Sequence, residues 1–145
     1  MDDAARALSI TVARLELVKE LEAFEAFFAR ARREGVGGLI VPIDGLTVLH
    51  RRKVVDLAAK YRLPAIYTQR EHVESGGLMA YGPSFLELFQ RAPIFVDKIL
   101  KGARPAELPI EQPTTFEFVI NAKTAKMLGL TLPQGLLLRA DQVLQ

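Results

Sequence analysis

The chain has 145 residues, of which 50% are apolar and 25% are charged, a composition typical of one globular domain. Its 19 lysines and arginines nearly balance its 17 aspartates and glutamates, and the basic residues are scattered, so nucleic acid is not expected as a partner. Cysteine is absent, which excludes a disulfide framework, a thiolate nucleophile and a cysteine-ligated metal site.

The first third of the sequence predicts two β-α units. Residues 10–17, ITVARLEL, alternate apolar and polar side chains as a strand does, and a helical pattern follows from Val18 to Arg33. The segment GGLIVPI at residues 37–43 is wholly apolar and rich in β-branched residues, which is typical of a strand in a parallel sheet. Asp44 is expected to cap the helical pattern that continues to Arg62.

The middle of the chain predicts two short strands and one long helix. LPAIYT at residues 63–68 is the next strand, and a helical turn around Glu71 to Glu74 leads to GGLMAYG. From Ser84 to Lys101 the apolar residues recur at helical spacing, and Pro93 inside this run predicts a kink rather than two helices.

The last third predicts one clear strand and a short helix. Two prolines keep residues 106–113 extended, TTFEFVI alternates as a strand does, and Asn121 is expected to cap the helix AKTAKMLG before a final turn and tail. Alternating strands and helices of this length predict a single α/β domain over residues 1–145, an open, mostly parallel sheet with helices on both faces. Its expected core includes Leu39, Ile40, Val41, Ile66, Phe116, Phe118 and Ile120.

Residues typical of catalysis are scarce. No serine lies in a nucleophile-elbow context and no lysine follows a glycine-rich phosphate loop, so no enzyme activity is predicted. His50 and His72 lack a second ligand at helical spacing and are expected to be solvated, so neither a metal nor a cofactor is predicted.

The expected fold indicates where a ligand would bind. In open α/β sheets, ligands lie beyond the carboxyl ends of the parallel strands. The residues expected at this rim are Asp44, Tyr67, Glu71, Tyr81 and Ser84. Asp44 could pair with a ligand ammonium group or only cap its helix, and Ser84 could offer a hydroxyl to the ligand or only cap the helix that it precedes.

From Ala4 to its end the sequence resembles the C-terminal portion of ABC-transporter substrate-binding proteins of the tryptophan/tyrosine-binding type. The most specific segments are GGLMAYG, DKILKGARPAELPIEQPT and INAKTAKMLGLTLP. The resemblance implies a lobe of a type I periplasmic binding protein, in which two α/β lobes close on a small solute. It also implies that residues 84–102 match a helix of the first lobe, which is otherwise almost wholly missing, together with the central strand of the second lobe.

The resemblance implies a solute-binding component, or a remnant of one, for an ABC importer of small amino-acid-like or aromatic compounds, with an ABC permease as partner. By resemblance the location is periplasmic, whereas a chain complete as written would be cytoplasmic because it has no signal peptide. The alternative function is a cytoplasmic interaction or structural domain that no longer binds solute. A homodimer is expected in either case, because the apolar face of the Ser84 to Lys101 helix needs a cover.

Overall fold

The computed structural model describes residues 2–12 and 23–145. Within them the helices are α1 (Asp2–Ala7), α2 (Ala23–Arg33), α3 (Gly45–Leu49), α4 (Arg51–Lys60), α5 (Arg70–Glu74), α6 (Phe85–Leu100), α7 (Ala122–Met127) and α8 (Gln134–Leu137), and a 3₁₀ turn spans Pro105–Glu107. The strands are β1 (Leu39–Val41), β2 (Ala65–Tyr67), β3 (Met79–Pro83), β4 (Phe116–Asn121) and β5 (Gln142–Leu144).

The five strands form one sheet in the order β1-β2-β3-β4-β5. β1, β2 and β3 run parallel, β4 pairs antiparallel with β3, and β5 is parallel to β4. The predicted α/β class and the mostly parallel open sheet are therefore confirmed.

Several predicted elements have different bounds in the structure. Ile10–Val12 form no strand, and the rest of the strand predicted over 10–17, like the helical prediction over 18–22, lies outside the described residues. The helical pattern after Asp44 is two helices, because the chain turns at His50, which ends α3 and precedes α4. The predicted C-terminal tail contains the strand β5 and the helix α8.

The main core lies on one face of the sheet. α2 contributes Phe24 and Phe28, and α4 contributes four buried residues, including Val54 and Leu57. These side chains pack on the sheet residues whose side chains alternate toward that face, which are Leu39, Val41, Ala65, Tyr67, Ala80 and Val119.

The predicted core is wrong for two residues on the opposite face of the sheet, Ile40 and Phe116. Ile40 is 59% exposed and Phe116 is 47% exposed, whereas Ile120, on the same face, is fully buried. Successive side chains of a strand point to opposite faces. An apolar run of three residues therefore cannot place all its side chains in one core, and Ile40 points away from its two neighbours.

His72 is buried, so the solvated position predicted for it is wrong. Its ring stacks on Tyr67 with centroids 4.7 Å apart, and its Nε2 donates to the carbonyl oxygen of Thr47 at 3.3 Å. The other ring nitrogen, Nδ1, and the Tyr67 hydroxyl are buried without a hydrogen-bond partner among the described residues. Burial lowers the pKa of His72 and raises that of Tyr67, so both rings are held neutral.

Gly82 allows β3 to approach the end of β2. A Cβ atom at this position would lie 2.0 Å from the carbonyl oxygen of Thr68, a backbone atom that cannot move aside as a side chain can. Only glycine fits there without shifting one of the two strands.

We expect Gly82→Ala to lower the free energy of unfolding by about 2 kcal/mol or more, because the added methyl group overpacks a backbone contact. Gly135→Ala is the matched control, since Gly135 lies in α8 and a methyl group added there would meet nothing within 4 Å. Urea denaturation should show a large loss for the first variant and no loss for the second. Equal stabilities would contradict the close approach of β3 to Thr68.

We expect the protein to lose stability as the pH falls below about 6.5, the ordinary pKa of histidine. The folded-state pKa of His72 is lowered. As the pH falls from 6.5 toward that pKa, the unfolded chain therefore takes up a proton before the folded chain does, and the free energy of unfolding decreases. His72→Phe keeps a ring against Tyr67 and should flatten this dependence, whereas His50→Phe should leave the His72 contribution in place. Thermal unfolding from pH 8 to 5 would measure it, and an unchanged slope in His72→Phe would contradict the assignment.

Candidate functional site

The carboxyl ends of β1, β2 and β3 lie side by side at one edge of the sheet, because these strands are adjacent and parallel. We call this edge the rim. The residues that follow the strands at this rim are Asp44 after β1, Thr68 to Glu71 after β2, and Ser84 after β3. The antiparallel strand β4 begins at the same edge, so residues 111–115 also approach it.

Asp44 is exposed at the rim and caps α3. Its Oδ1 accepts a hydrogen bond from the backbone N–H of Leu46 at 2.8 Å, and its own N–H donates to Thr47 Oγ1 at 3.2 Å. The predicted cap is therefore confirmed. The cap uses one carboxylate oxygen, so the side chain can hold the helix and still present negative charge to the rim.

The structure separates Tyr67 from the other four residues predicted at the rim. Tyr67 is 1% exposed and lies in the main core, since its side chain points to the covered face of the sheet. Its predicted position at the rim is therefore wrong. Glu71 is exposed in the first turn of α5.

Ser84 is buried at the position just before α6, but its hydroxyl makes no capping hydrogen bond. Its backbone N–H instead donates to the carbonyl oxygen of Thr115 at 3.1 Å. This bond joins the start of α6 to the segment that returns to β4. Ser84 therefore contributes to the rim through its backbone.

Tyr81 is 54% exposed and lies on the open face of the sheet. Its ring stacks on Phe116 with centroids 5.7 Å apart and meets Phe118 edge to face at 6.1 Å. The three rings form an aromatic wall along β3 and β4. Such a surface can pack against an apolar or aromatic group.

Arg70 connects α5 to the last two strands and was not among the predicted residues. Its Nε donates to Glu74 at 2.9 Å, its Nη2 donates to Gln142 at 2.7 Å, and its Nη1 lies 3.5 Å from a carboxylate oxygen of Glu117. The hydrogen bond to Glu74 raises the pKa of Arg70 further, so the guanidinium stays charged. The spacing of Arg70 and Glu74 is visible in the sequence, but the partners on β4 and β5 are not.

A cavity of about 290 Å³ lies at the rim beside this arginine. One guanidinium and three carboxylates surround it, so its charge is negative. Its lining residues are Thr68, Gln69, Arg70, Glu71, Glu74, Gly82, Pro83, Phe85, Leu86 and Glu117. The volume is at the lower limit of small-molecule sites.

A larger groove of about 530 Å³ runs between α6 and residues 111–115. Leu88, Ala92 and Phe95 line its apolar side, and Arg91 pairs with Glu111 across it. Of the predicted site residues Ser84 borders this groove and Glu71 borders the rim cavity. The rim cavity is the better candidate for the site because it lies at the carboxyl ends of the parallel strands β2 and β3, where ligands of open α/β sheets bind.

Neither a metal centre nor a membrane span emerges from residues 2–12 and 23–145. No three histidine, aspartate or glutamate side chains among them are grouped to hold a metal ion. None of the helices in these ranges is long and apolar enough to cross a bilayer.

Comparison with known proteins identifies the fold. A conserved domain protein from Vibrio cholerae superimposes with a TM-score of 0.88 at 20% identity, over 98% of this chain and 47% of that one. The ABC domain in complex with L-Trp from Streptococcus pneumonia gives 0.88 at 27% identity, over 98% and 48%. The ligand-free, open structure of a substrate-binding protein with adhesive properties from Clostridium difficile gives 0.66 at 19% identity, over 99% and 47%.

The chain thus spans about half the length of the solved proteins that it matches. A comparison with curated proteins gives no match. The family model for the ABC transporter substrate binding protein matches residues 3–144, which is nearly the whole sequence. With this match and the shared fold, the chain belongs to the ABC transporter substrate-binding protein family.

Proposed function

We propose that this chain forms one wall of the solute cleft of an ABC importer's binding protein and that it binds without catalysis. The observation that carries the proposal is the rim, where Asp44 and Glu71 present carboxylates at the ends of adjacent parallel strands in a chain of this family. Ligands of open α/β folds bind at such edges. A single lobe leaves the cleft open on one side, so the opposing wall would come from a second lobe.

The charge at the rim favours the ammonium end of an amino-acid-like ligand. The cavity has three carboxylates around one guanidinium, and Asp44 adds a further carboxylate to the same rim at the carboxyl end of β1. The three nitrogens of Arg70 already face protein oxygens, so this guanidinium is a poor anchor for a ligand carboxylate. A ligand carboxylate would then be bound by the opposing wall.

An aromatic side chain is the second expected feature of the ligand. Phe85 lines the rim cavity, and Tyr81 stands at the exposed edge of the aromatic wall. The similar domain from Streptococcus pneumonia was solved with L-Trp. These points support an aromatic or other apolar amino acid as the ligand class, with Asp44, Glu71, Tyr81 and Ser84 at the site and Tyr67 supporting it from the core.

The proposed partner is an ABC permease, and the proposed location is the periplasm or the outer face of the cell. Both follow from the family, since a binding protein delivers its solute to a membrane transporter.

A second candidate function is a dimeric interaction domain that has lost solute binding. The observation that favours it is α6, a helix of 16 residues none of which is buried in the described structure. A homodimer would cover this helix.

We expect the isolated chain to bind L-tryptophan and L-tyrosine weakly, with dissociation constants of about 0.1 to 1 mM, because half a cleft buries only part of a small ligand. Titration calorimetry against a panel of amino acids, paired with amide chemical shifts, would measure this binding. Silence across the panel, with no shift in Asp44 or Glu71, would favour the interaction domain instead.

Substitutions at Asp44 can separate its two roles. Asp44→Asn keeps a side-chain oxygen for the cap of α3 but removes the charge, so we expect normal stability and roughly tenfold weaker binding. Asp44→Ala should in addition lower the free energy of unfolding by about 1 kcal/mol. Asp56→Asn, an exposed aspartate on α4, is the matched control and should bind as the parent chain does. Unchanged binding in Asp44→Asn would limit Asp44 to capping.

A further inference from the structure

His72 connects the two short helices that hold carboxylates at the rim. Asp44 caps α3, and Glu71 stands in the first turn of α5, next to His72. The His72 ring is buried, and its Nε2 donates to the carbonyl oxygen of Thr47, in α3, at 3.3 Å. One buried hydrogen bond therefore joins the helix behind one carboxylate to the helix behind the other.

Thr47 continues this connection to Asp44. Its side chain is buried, and its Oγ1 accepts from the Asp44 N–H at 3.2 Å and donates to the Asp44 carbonyl oxygen at 2.9 Å. The carboxylate of the same Asp44 accepts from the Leu46 N–H. A shift of Thr47 would therefore move the backbone that carries this carboxylate.

The bond to His72 satisfies a carbonyl group that α3 itself leaves without a partner. α3 has only five residues, Gly45–Leu49, so Thr47 is one of the last four, whose carbonyl groups have no acceptor role within the helix. The chain turns at His50, so α4 does not extend the hydrogen bonds of α3. A buried carbonyl group without a hydrogen bond is costly, and the His72 bond removes that cost.

α5 is the better anchored of the two helices. At its start Arg70 donates to Gln142 of β5 at 2.7 Å, and just past its end Thr124 of α7 donates to the carbonyl oxygen of Gly76 at 2.8 Å. α3, by contrast, follows β1, the end strand of the sheet among the described residues. The bond from His72 therefore ties the less supported helix to the more rigid one.

From this geometry we propose that His72 is a positioning residue of the rim, which acts through Thr47 to hold Asp44 in a fixed place relative to Glu71. His72 would touch no ligand, because its ring is buried between Tyr67 and the Thr47 carbonyl group. Its importance for solute binding rests on the proposed function, whereas the connection between the helices does not.

Amide hydrogen exchange of the chain without solute tests the connection. The reporter is the Val48 N–H of α3, which donates to the Asp44 carbonyl oxygen at 3.0 Å. The matched reference is the Leu128 N–H at the end of α7, which donates to the Thr124 carbonyl oxygen at 3.0 Å. Both bonds lie in short helices that begin at a side-chain cap, so their ratio separates a local change at α3 from a general loss of stability.

Two substitutions of His72 differ in the hydrogen bond alone. His72→Phe keeps a ring against Tyr67 but has no donor, so we expect exchange at Val48 to become about tenfold faster relative to Leu128. His72→Gln keeps a neutral N–H donor that can reach Thr47 and should stay near the parent ratio. Equal acceleration at the two amides in His72→Phe, or none at Val48, would overturn the proposal.

A measurement on the parent chain covers the case in which His72→Phe does not fold. A carbonyl oxygen can only accept, so the neutral His72 ring should carry its hydrogen on Nε2, and burial should protect that hydrogen from exchange with water. Nitrogen-15 spectra at pH 8 would detect both properties. A hydrogen on Nδ1, or an Nε2–H in free exchange with water, would overturn the bond to Thr47 and the proposal with it.

Calorimetry with L-tryptophan tests the consequence for the rim. We expect His72→Phe to bind about fivefold more weakly than the parent chain, because Asp44 is no longer held in place, and His72→Gln to bind as the parent does. Equal affinity of His72→Phe and the parent would overturn the role of His72 at the rim. If the parent itself does not bind, the proposed solute site fails, and hydrogen exchange still decides whether His72 positions Asp44.

Discussion

The antiparallel ladder between β3 and β4 holds the structure together. Its five residue pairs run from Met79 opposite Ile120 to Pro83 opposite Phe116, and the bond from Ser84 N–H to the Thr115 carbonyl extends it by one step. The ladder joins two segments that are separated along the chain by α6 and its return. It therefore fixes where the chain leaves the sheet before α6 and where it rejoins the sheet at β4. It also fixes the position of Gly82 against Thr68 and the aromatic wall of Tyr81, Phe116 and Phe118.

Electrostatics at the rim follow from the same arrangement. β4 brings Glu117, and β5 brings Gln142, to the guanidinium of Arg70, so one side chain of α5 is tied to both strands. The ion pairs of Arg70 are partly exposed, so they contribute little to the free energy of unfolding and act mainly by fixing the position of the guanidinium. With Arg70 thus occupied, the exposed carboxylates of Asp44 and Glu71 leave the rim negatively charged. This charge follows from the order of the strands in the sheet.

Local chemistry was predictable from the sequence. Asp44 and Asn121 both cap the helices that follow them, and α6 continues through Pro93 as one helix, because these features depend on neighbouring residues alone. The family was also accessible, since its segments are long and specific. The direction of side chains in three-residue strands was not, because an apolar run carries no alternation that tells one face from the other. Tyr67 and Ile40 were misplaced for this reason, whereas His72 lies on the short helix α5 and is buried against Tyr67. The partners of Arg70 lie up to 72 positions away.

The aromatic composition gives the site a useful optical property. The chain has no tryptophan, and of its three tyrosines Tyr67 is sealed in the core while Tyr81 stands in the aromatic wall. An indole placed near that wall would be the sole tryptophan-like fluorophore beside this chain. Its emission, excited directly or by energy transfer from Tyr81, would report on the polarity around the aromatic wall without any label on the protein.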